Sequence, residues 1–191
     1  MIEQIKRYKW WLFALILLGS VVAFFERWRD HRDHSQDAVI LAAAARYGLD
    51  PALVKAVVWR ESRFNPRAHG TKGEIGLMQI RNTAAQEWAK AERVLLFTHQ
   101  QLYDPAKNTL AGTWYLKKLR ARYPQTDDPL PYALADYNAG RTKVLQWSNG
   151  VTITNSAAFI NQIGYPMTQD YVRSVMKRYE HYRAIFPPKR N

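Results

Sequence analysis

The chain has 191 residues, no cysteine, 47% apolar residues, and 28 Lys plus Arg against 16 Asp plus Glu, a formal net charge of +12. That length suits one ordinary domain, and the missing cysteines exclude a disulfide framework, a thiolate zinc site, an iron–sulfur cluster and a cysteine nucleophile. The apolar fraction argues against disorder, while the positive excess points to a polyanionic partner: nucleic acid, a membrane surface or an acidic polymer.

Residues 1–9 form a short basic segment, and 10–25 read WWLFALILLGSVVAFF without a charge. As a helix the apolar stretch is about 24 Å long, a little short of a hydrocarbon core of roughly 30 Å, a gap that bilayer thinning or snorkelling from Lys9 and Arg27 closes. Trp10, Trp11 and Trp28 sit where interfacial aromatics belong. The stretch reads as a retained transmembrane anchor; a cleavable signal peptide ending near Val21-Val22-Ala23 is the alternative. Lys and Arg number three on each side, in 1–9 and in 26–34, so charge does not orient the span. Residues 26–36 read as a solvated, coil-like linker, and its His31 and His34 as part of that linker rather than metal ligands. Residues 37–191 carry 22 basic and 12 acidic side chains, a net +10.

That domain reads as helical throughout. Asp37 caps a run of alanines and leucine ending at Gly48, and Asp50-Pro51 opens the next helix with a cap followed by proline. Thr83 with Gln86 forms a capping box ahead of the next helix. Further helices are predicted at about 106–122, 129–139, 141–147 and 168–185, the last capped by Thr168. Val151–Thr154 can make a brief strand. The expectation is an all-α or α-rich domain.

Glu61 is the most informative residue. Val54, Val57 and Val58 define an apolar stripe, and Glu61 continues it at i+3 and i+4. A carboxyl on an apolar face loses hydration, stays protonated near neutrality and suits general acid catalysis. The bland alternative is a helix-end Glu paired with Arg60 or Arg63. After Asn65-Pro66 stops the helix, Gly70, Gly73 and Gly76 punctuate a loop, followed by Leu77-Met78-Gln79-Ile80. Later, Asp136-Tyr137-Asn138-Ala139-Gly140 sets a phenol and an amide at a glycine-terminated helix end, with Asp136 expected on the solvated surface of that helix.

In this order the motifs resemble the lytic transglycosylases of the soluble-lytic-transglycosylase type, relatives of goose-type lysozyme. The resemblance runs over roughly residues 38–186. It includes Glu61-Ser62, Asn65-Pro66, Gly73, Gly76 to Ile80, Tyr137 to Gly140, Val144-x-x-Trp147 and Tyr171-Val172. Asp104-Pro105-x-x-Asn108-x-x-x-Gly112-x-x-Tyr115-Leu116-x-x-Leu119 looks like the family's structural helix motif. The resemblance implies a lysozyme-like catalytic domain at 37–191 whose partner is peptidoglycan glycan. It makes Glu61 the single acid and then base, which cleaves the bond between N-acetylmuramic acid and N-acetylglucosamine and closes a 1,6-anhydro ring. Met78, Gln79, Tyr137 and Asn138 are then expected to line sugar subsites, with Tyr171 beside the glutamate. No metal or organic cofactor is implied. The catalytic side would face the periplasm or cell exterior, with the N-terminal helix in the cytoplasmic membrane; envelope protein partners are not indicated.

The chain departs from the family pattern at three places. Gly70 stands where relatives often have a serine, Met167 where they often have a glutamate, and Glu74 where many have a small residue. Glu74 is therefore a candidate second carboxylate. Two other readings follow: a goose-lysozyme-like muramidase in which Glu74 directs water, and a non-catalytic glycan-binding module. No helix-turn-helix, zinc-finger or RNA-binding signature accompanies the charge, so nucleic acid is not an expected partner.

Overall fold

A computed structural model describes residues 2–149 and 153–186. The chain divides into two compact units, residues 1–36 and 37–191, taken separately below.

The first unit is one helix, α1 (Ile2–His34). From Trp10 to Trp28 its large apolar side chains are exposed, Trp10 at 73%, Leu15 at 63% and Phe24 at 67%. It is long and apolar enough to cross a membrane. The coil expected after residue 25 is instead more helix, because no glycine or proline interrupts Glu26 to His34. Arg32 stacks on Trp28 at 4.6 Å and Asp30 meets His34 at 3.6 Å, neighbours on a helical surface.

The second unit contains α2 (Asp37–Tyr47), α3 (Pro51–Ser62), α4 (Asn82–Ala91), a short 3-10 helix (His99–Tyr103) and α5 (Pro105–Arg120). It continues with α6 (Pro129–Ala139), α7 (Arg141–Trp147), α8 (Ser156–Gln162) and α9 (Pro166–Ile185). No strand occurs among the described residues, only isolated bridges, and the all-helical expectation holds. Val151 and Thr152 of the expected strand lie outside the described residues.

Three helices start the same way. Asp50, Asp104 and Asp128 each accept a backbone N–H of the first turn, and each is followed by a proline that has no N–H to satisfy. α3 packs against α2 and α9, and α6 against α5 and α9. Every α3 residue from Ala52 to Val58 is buried, so α3 is a central helix and not the half-exposed amphipathic one its valine stripe suggests. Even Lys55 is enclosed: its ammonium lies 2.5 Å from Asp37 and 4.1 Å from the centre of the Phe186 ring.

Three expected caps are corrected. Asp37 is the first residue of α2 and its carboxylate meets Lys55. α4 begins at Asn82 with Arg81 as its uncapped flank, and Gln86 reaches back to Asn82 rather than pairing with Thr83. α9 begins at Pro166, which puts Thr168 inside the helix and frees its hydroxyl for a tertiary bond.

Candidate active site

Glu61 stands one residue from the end of α3, just before the chain turns through two left-handed residues, Arg63 (φ 51°) and Phe64 (φ 62°). Loss of hydration is the dominant influence on its carboxyl and pushes it up to about 7. The Tyr171 hydroxyl, donating to Oε1 at 2.5 Å, and the Arg60 charge both oppose the shift, while the Glu74 charge adds to it. Arg60 itself pairs with Asp170 at 3.1 Å, and Arg63 stacks on Trp59 at 3.6 Å. The carboxyl is thus held by a phenol, as a group that titrates near neutrality, which is what a proton donor to a leaving oxygen requires.

The segment from Asn65 to Arg81 folds over itself. Gly70 N–H donates to Glu74 O, Gly76 N–H to Ala68 O, and Ile75 and Ile80 exchange both backbone bonds. Asn108 on α5 holds this loop from beneath. Its Oδ1 accepts the Met78 N–H at 2.7 Å and its Nδ2 donates to the carbonyls of Ile75 and Leu102, both at 2.9 Å. Gly76 (φ 78°) is required there, since a Cβ would lie 2.1 Å from Asn108 Nδ2.

Met78 is displaced from its expected role. Its side chain is fully buried and fills the notch left by Gly112, where a Cβ would sit 2.4 Å from Sδ. It does not line an open surface; its carbonyl instead accepts the Tyr137 hydroxyl at 2.7 Å. Tyr137 is half-buried, its ring 5.7 Å from that of Tyr115, and burial with the nearby Glu61 charge raises its phenol well above the ordinary value. Tyr171 is buried and raised for the same reasons, so both phenols remain donors. Asn138 is exposed, its Oδ1 accepting the Thr168 hydroxyl at 2.8 Å, so its amide N–H groups are the donors it has left. Gln79 sits at φ 48°, with Nε2 donating to Gly76 O at 2.9 Å.

Glu74 is neither free nor neutral. Burial alone would raise its carboxyl. Bonds from its own backbone N–H, from Arg81 and from the Lys72 N–H outweigh that effect and hold it below the ordinary value. Oε1 meets Arg81 Nε at 2.8 Å and Nη2 at 2.7 Å, and Oε2 accepts the Lys72 N–H at 3.0 Å. A Cβ on Gly70 would lie 2.4 Å from Glu74 Oε2 and 2.9 Å from Gln79 Oε1, so the carboxylate occupies the space beside that glycine. Asp136, expected on a solvated helix surface, is buried and bound by Arg122 at 2.9 Å and Tyr123 at 2.8 Å. Sequence reasoning did not single out Thr168 as Asn138's partner, nor Arg81 or Arg122; no local pattern marks such long-range pairs.

A family model described as "Transglycosylase SLT domain" matches residues 38–160. The chain is 38% identical over 105 residues to the membrane-bound lytic murein transglycosylase F of Desulfosudis oleivorans, covering 53% of this chain and 21% of that protein. It is 32% identical over 136 residues to the soluble lytic murein transglycosylase of Escherichia coli K12, covering 70% and 21%. Against the membrane-bound lytic murein transglycosylase C of Yersinia pestis it is 34% identical over 123 residues, covering 61% and 34%. The chain thus spans between a fifth and about a third of the length of these relatives. The crystal structure of the 70 kDa soluble lytic transglycosylase of E. coli superposes with a TM-score of 0.71 and 26% identity, over 80% of this chain and 24% of that one. The expected lysozyme-like helical fold is the one shared with that structure.

Proposed function

The chain belongs to the transglycosylase SLT domain family, and on that premise we propose that it is a peptidoglycan lytic transglycosylase. It cleaves the β-1,4 bond between N-acetylmuramic acid and N-acetylglucosamine. The observation that carries this reading is Glu61, a carboxyl titrating at about 7 and bonded to a phenol at 2.5 Å. The protonated form gives its proton to the glycosidic oxygen as the C1–O bond breaks. The carboxylate left behind, eased by the Tyr171 hydroxyl and the Arg60 charge, takes the proton of the muramic C6 hydroxyl as that oxygen bonds to C1. The products are a free 4-hydroxyl on one sugar and a 1,6-anhydro ring on the other. No water is consumed, and the step draws on no metal or cofactor. Gln79, Tyr137 and Asn138 supply polar groups around the reacting sugars, with Met78 and Tyr171 as the buried supports behind them.

Hydrolysis directed by Glu74 is the less favoured reading. That carboxylate already spends Oε1 on Arg81 and Oε2 on a backbone N–H, so it is poorly placed to activate a water. The α1 helix is read as a single-pass anchor in the cytoplasmic membrane, with residues 37–191 on the outer side where the glycan lies. Membrane-bound relatives support this assignment. Mass spectrometry of digested glycan strands tests the chemistry. Wild type is expected to release 1,6-anhydro ends and Glu61→Gln none; a free reducing muramic end in their place overturns the ring-closing mechanism.

A further inference from the structure

Three positions at the start of α9 approach Glu61 in steps of three. Tyr171 holds the Glu61 carboxyl, Thr168 holds the Asn138 amide, and Tyr165, the N-cap, meets Trp147 edge to face with ring centres 5.2 Å apart and planes at 77°. Steps of three drift by about 60° around a helix, so these positions occupy one side of α9 and about 9 Å of its axis. The other wall is in the same order, since Asn138 stands one residue from the end of α6 and Trp147 ends α7, which follows after Gly140. Acid, amide and aromatic pair therefore form one line.

The far end of that line is open. Tyr165 is 45% exposed and its neighbour Met167 84%, although both are large apolar side chains beside a buried core. Space is made for the pair at Gly164, where a Cβ would lie 2.9 Å from the Trp147 indole nitrogen. Lys143 places its ammonium 5.2 Å from the Tyr165 ring centre, holding a cation against the same ring. Apolar rings positioned by the fold and left exposed on the line of a polar site are the usual means of binding a ligand with one apolar face. A β-linked pyranose has such a face: its axial C–H bonds are aligned on it and carry slight positive charge toward an aromatic π cloud.

We propose that Tyr165, backed by Trp147, is a glycan subsite that stacks a sugar of the strand beyond the two flanking the cleaved bond. The proposal rests on the glycan-cleaving reading above and adds a specificity-determining position: affinity should depend on strand length through this ring. Binding is measured with the full chain in detergent micelles, carrying Glu61→Gln so that bound strands are not cut. Tyr165→Ala is expected to weaken a peptidoglycan hexasaccharide by about tenfold while leaving a disaccharide unchanged, and Tyr165→Phe to retain the affinity. Unchanged hexasaccharide affinity, or an equal loss for both lengths, overturns the subsite. If the parent Glu61→Gln chain binds no glycan and wild type cuts none, the functional reading has failed before Tyr165 is altered. Because the chain lacks cysteine, Tyr165→Cys supplies a single thiol for a second measurement. Slower alkylation in the presence of hexasaccharide supports the subsite. Protection by phospholipid bilayers and not by hexasaccharide overturns it in favour of a membrane contact.

Discussion

Burial of Glu61 couples its chemistry to the stability of the fold. Its carboxyl titrates at about 7 in the folded chain against an ordinary 4.5, so the folded state binds the proton more tightly than the unfolded state does. The sign follows: the stabilisation is fully present below about pH 4.5 and is lost as pH rises through about 7, with a size on the order of 3 kcal/mol. Glu61→Gln keeps the shape without the ionisation. It should melt like wild type near pH 4 and above it near pH 8; calorimetry showing equal melting temperatures at about pH 8 rejects a raised carboxyl. In the cleavage rate the same group should appear as a fall above about pH 7. Tyr171→Phe removes the hydroxyl that favours the carboxylate, so that limb should move to higher pH, and a downward shift contradicts the assignment. Gly70 and Glu74, which read in the sequence as two separate departures from the family pattern, are one arrangement in space, because the carboxylate fills the place of the missing Cβ. Gly70→Ser alone should therefore destabilise the chain by about 1–3 kcal/mol, and much less in combination with Glu74→Ala. Urea melts of the two single variants and the double variant measure the coupling; simple additivity sinks it.

Between elements, the loop carrying Gln79 depends on α5. Asn108 is fully buried and satisfies one N–H and two carbonyls of the loop and the 3-10 helix that no water reaches. Asn108→Ala strands all three, which should cost about 3 kcal/mol or more and loosen the turn that carries Gln79 in its left-handed backbone. Denaturant melts together with hydrogen exchange at Met78 check this: a stability near wild type, with Met78 N–H still protected, shows that the loop holds itself. Asn108 was visible through the resemblance to the family's structural helix motif, and the Asp-Pro start at 50 was legible because cap and proline act within one turn. Glu61 was legible through its helical spacing. What could not be read locally was tertiary. Met78 looked like a subsite residue until Gly112 supplied a notch for it. Thr168 looked like a cap because hydroxyls favour caps, but Pro166 starts the helix earlier and turns the hydroxyl to Asn138. Asp136 looked solvated because its partners, Arg122 and Tyr123, lie on the preceding turn, beyond the reach of helix periodicity.

At the scale of the whole molecule, the proposed function divides the task of finding substrate between an apolar helix and a basic domain. The anchoring proposed for α1 would confine the domain to glycan near the bilayer, and the continuation of the helix to His34 replaces the expected flexible coil over that stretch with a helical segment of about 13 Å. Within the reach so defined, the net +10 of residues 37–191 favours polymer segments bearing carboxylates over neutral ones. Such attraction acts over distance, whereas the bonds at Glu61 act only in contact, so added salt separates the two. Between about 0.1 M and 1 M salt the screening length falls from ~10 Å to ~3 Å, which removes long-range attraction while leaving bonds between buried groups nearly untouched. On strands that carry acidic stem peptides, KM should therefore rise several-fold over that range while kcat holds steady. On strands whose carboxyls have been converted to amides both constants should stay nearly flat. Steady-state kinetics on the two substrates at matched pH decide the point: an equal rise in KM for both means that the charge serves solubility or the membrane surface, and a fall in kcat means that salt reaches the Glu61 site itself.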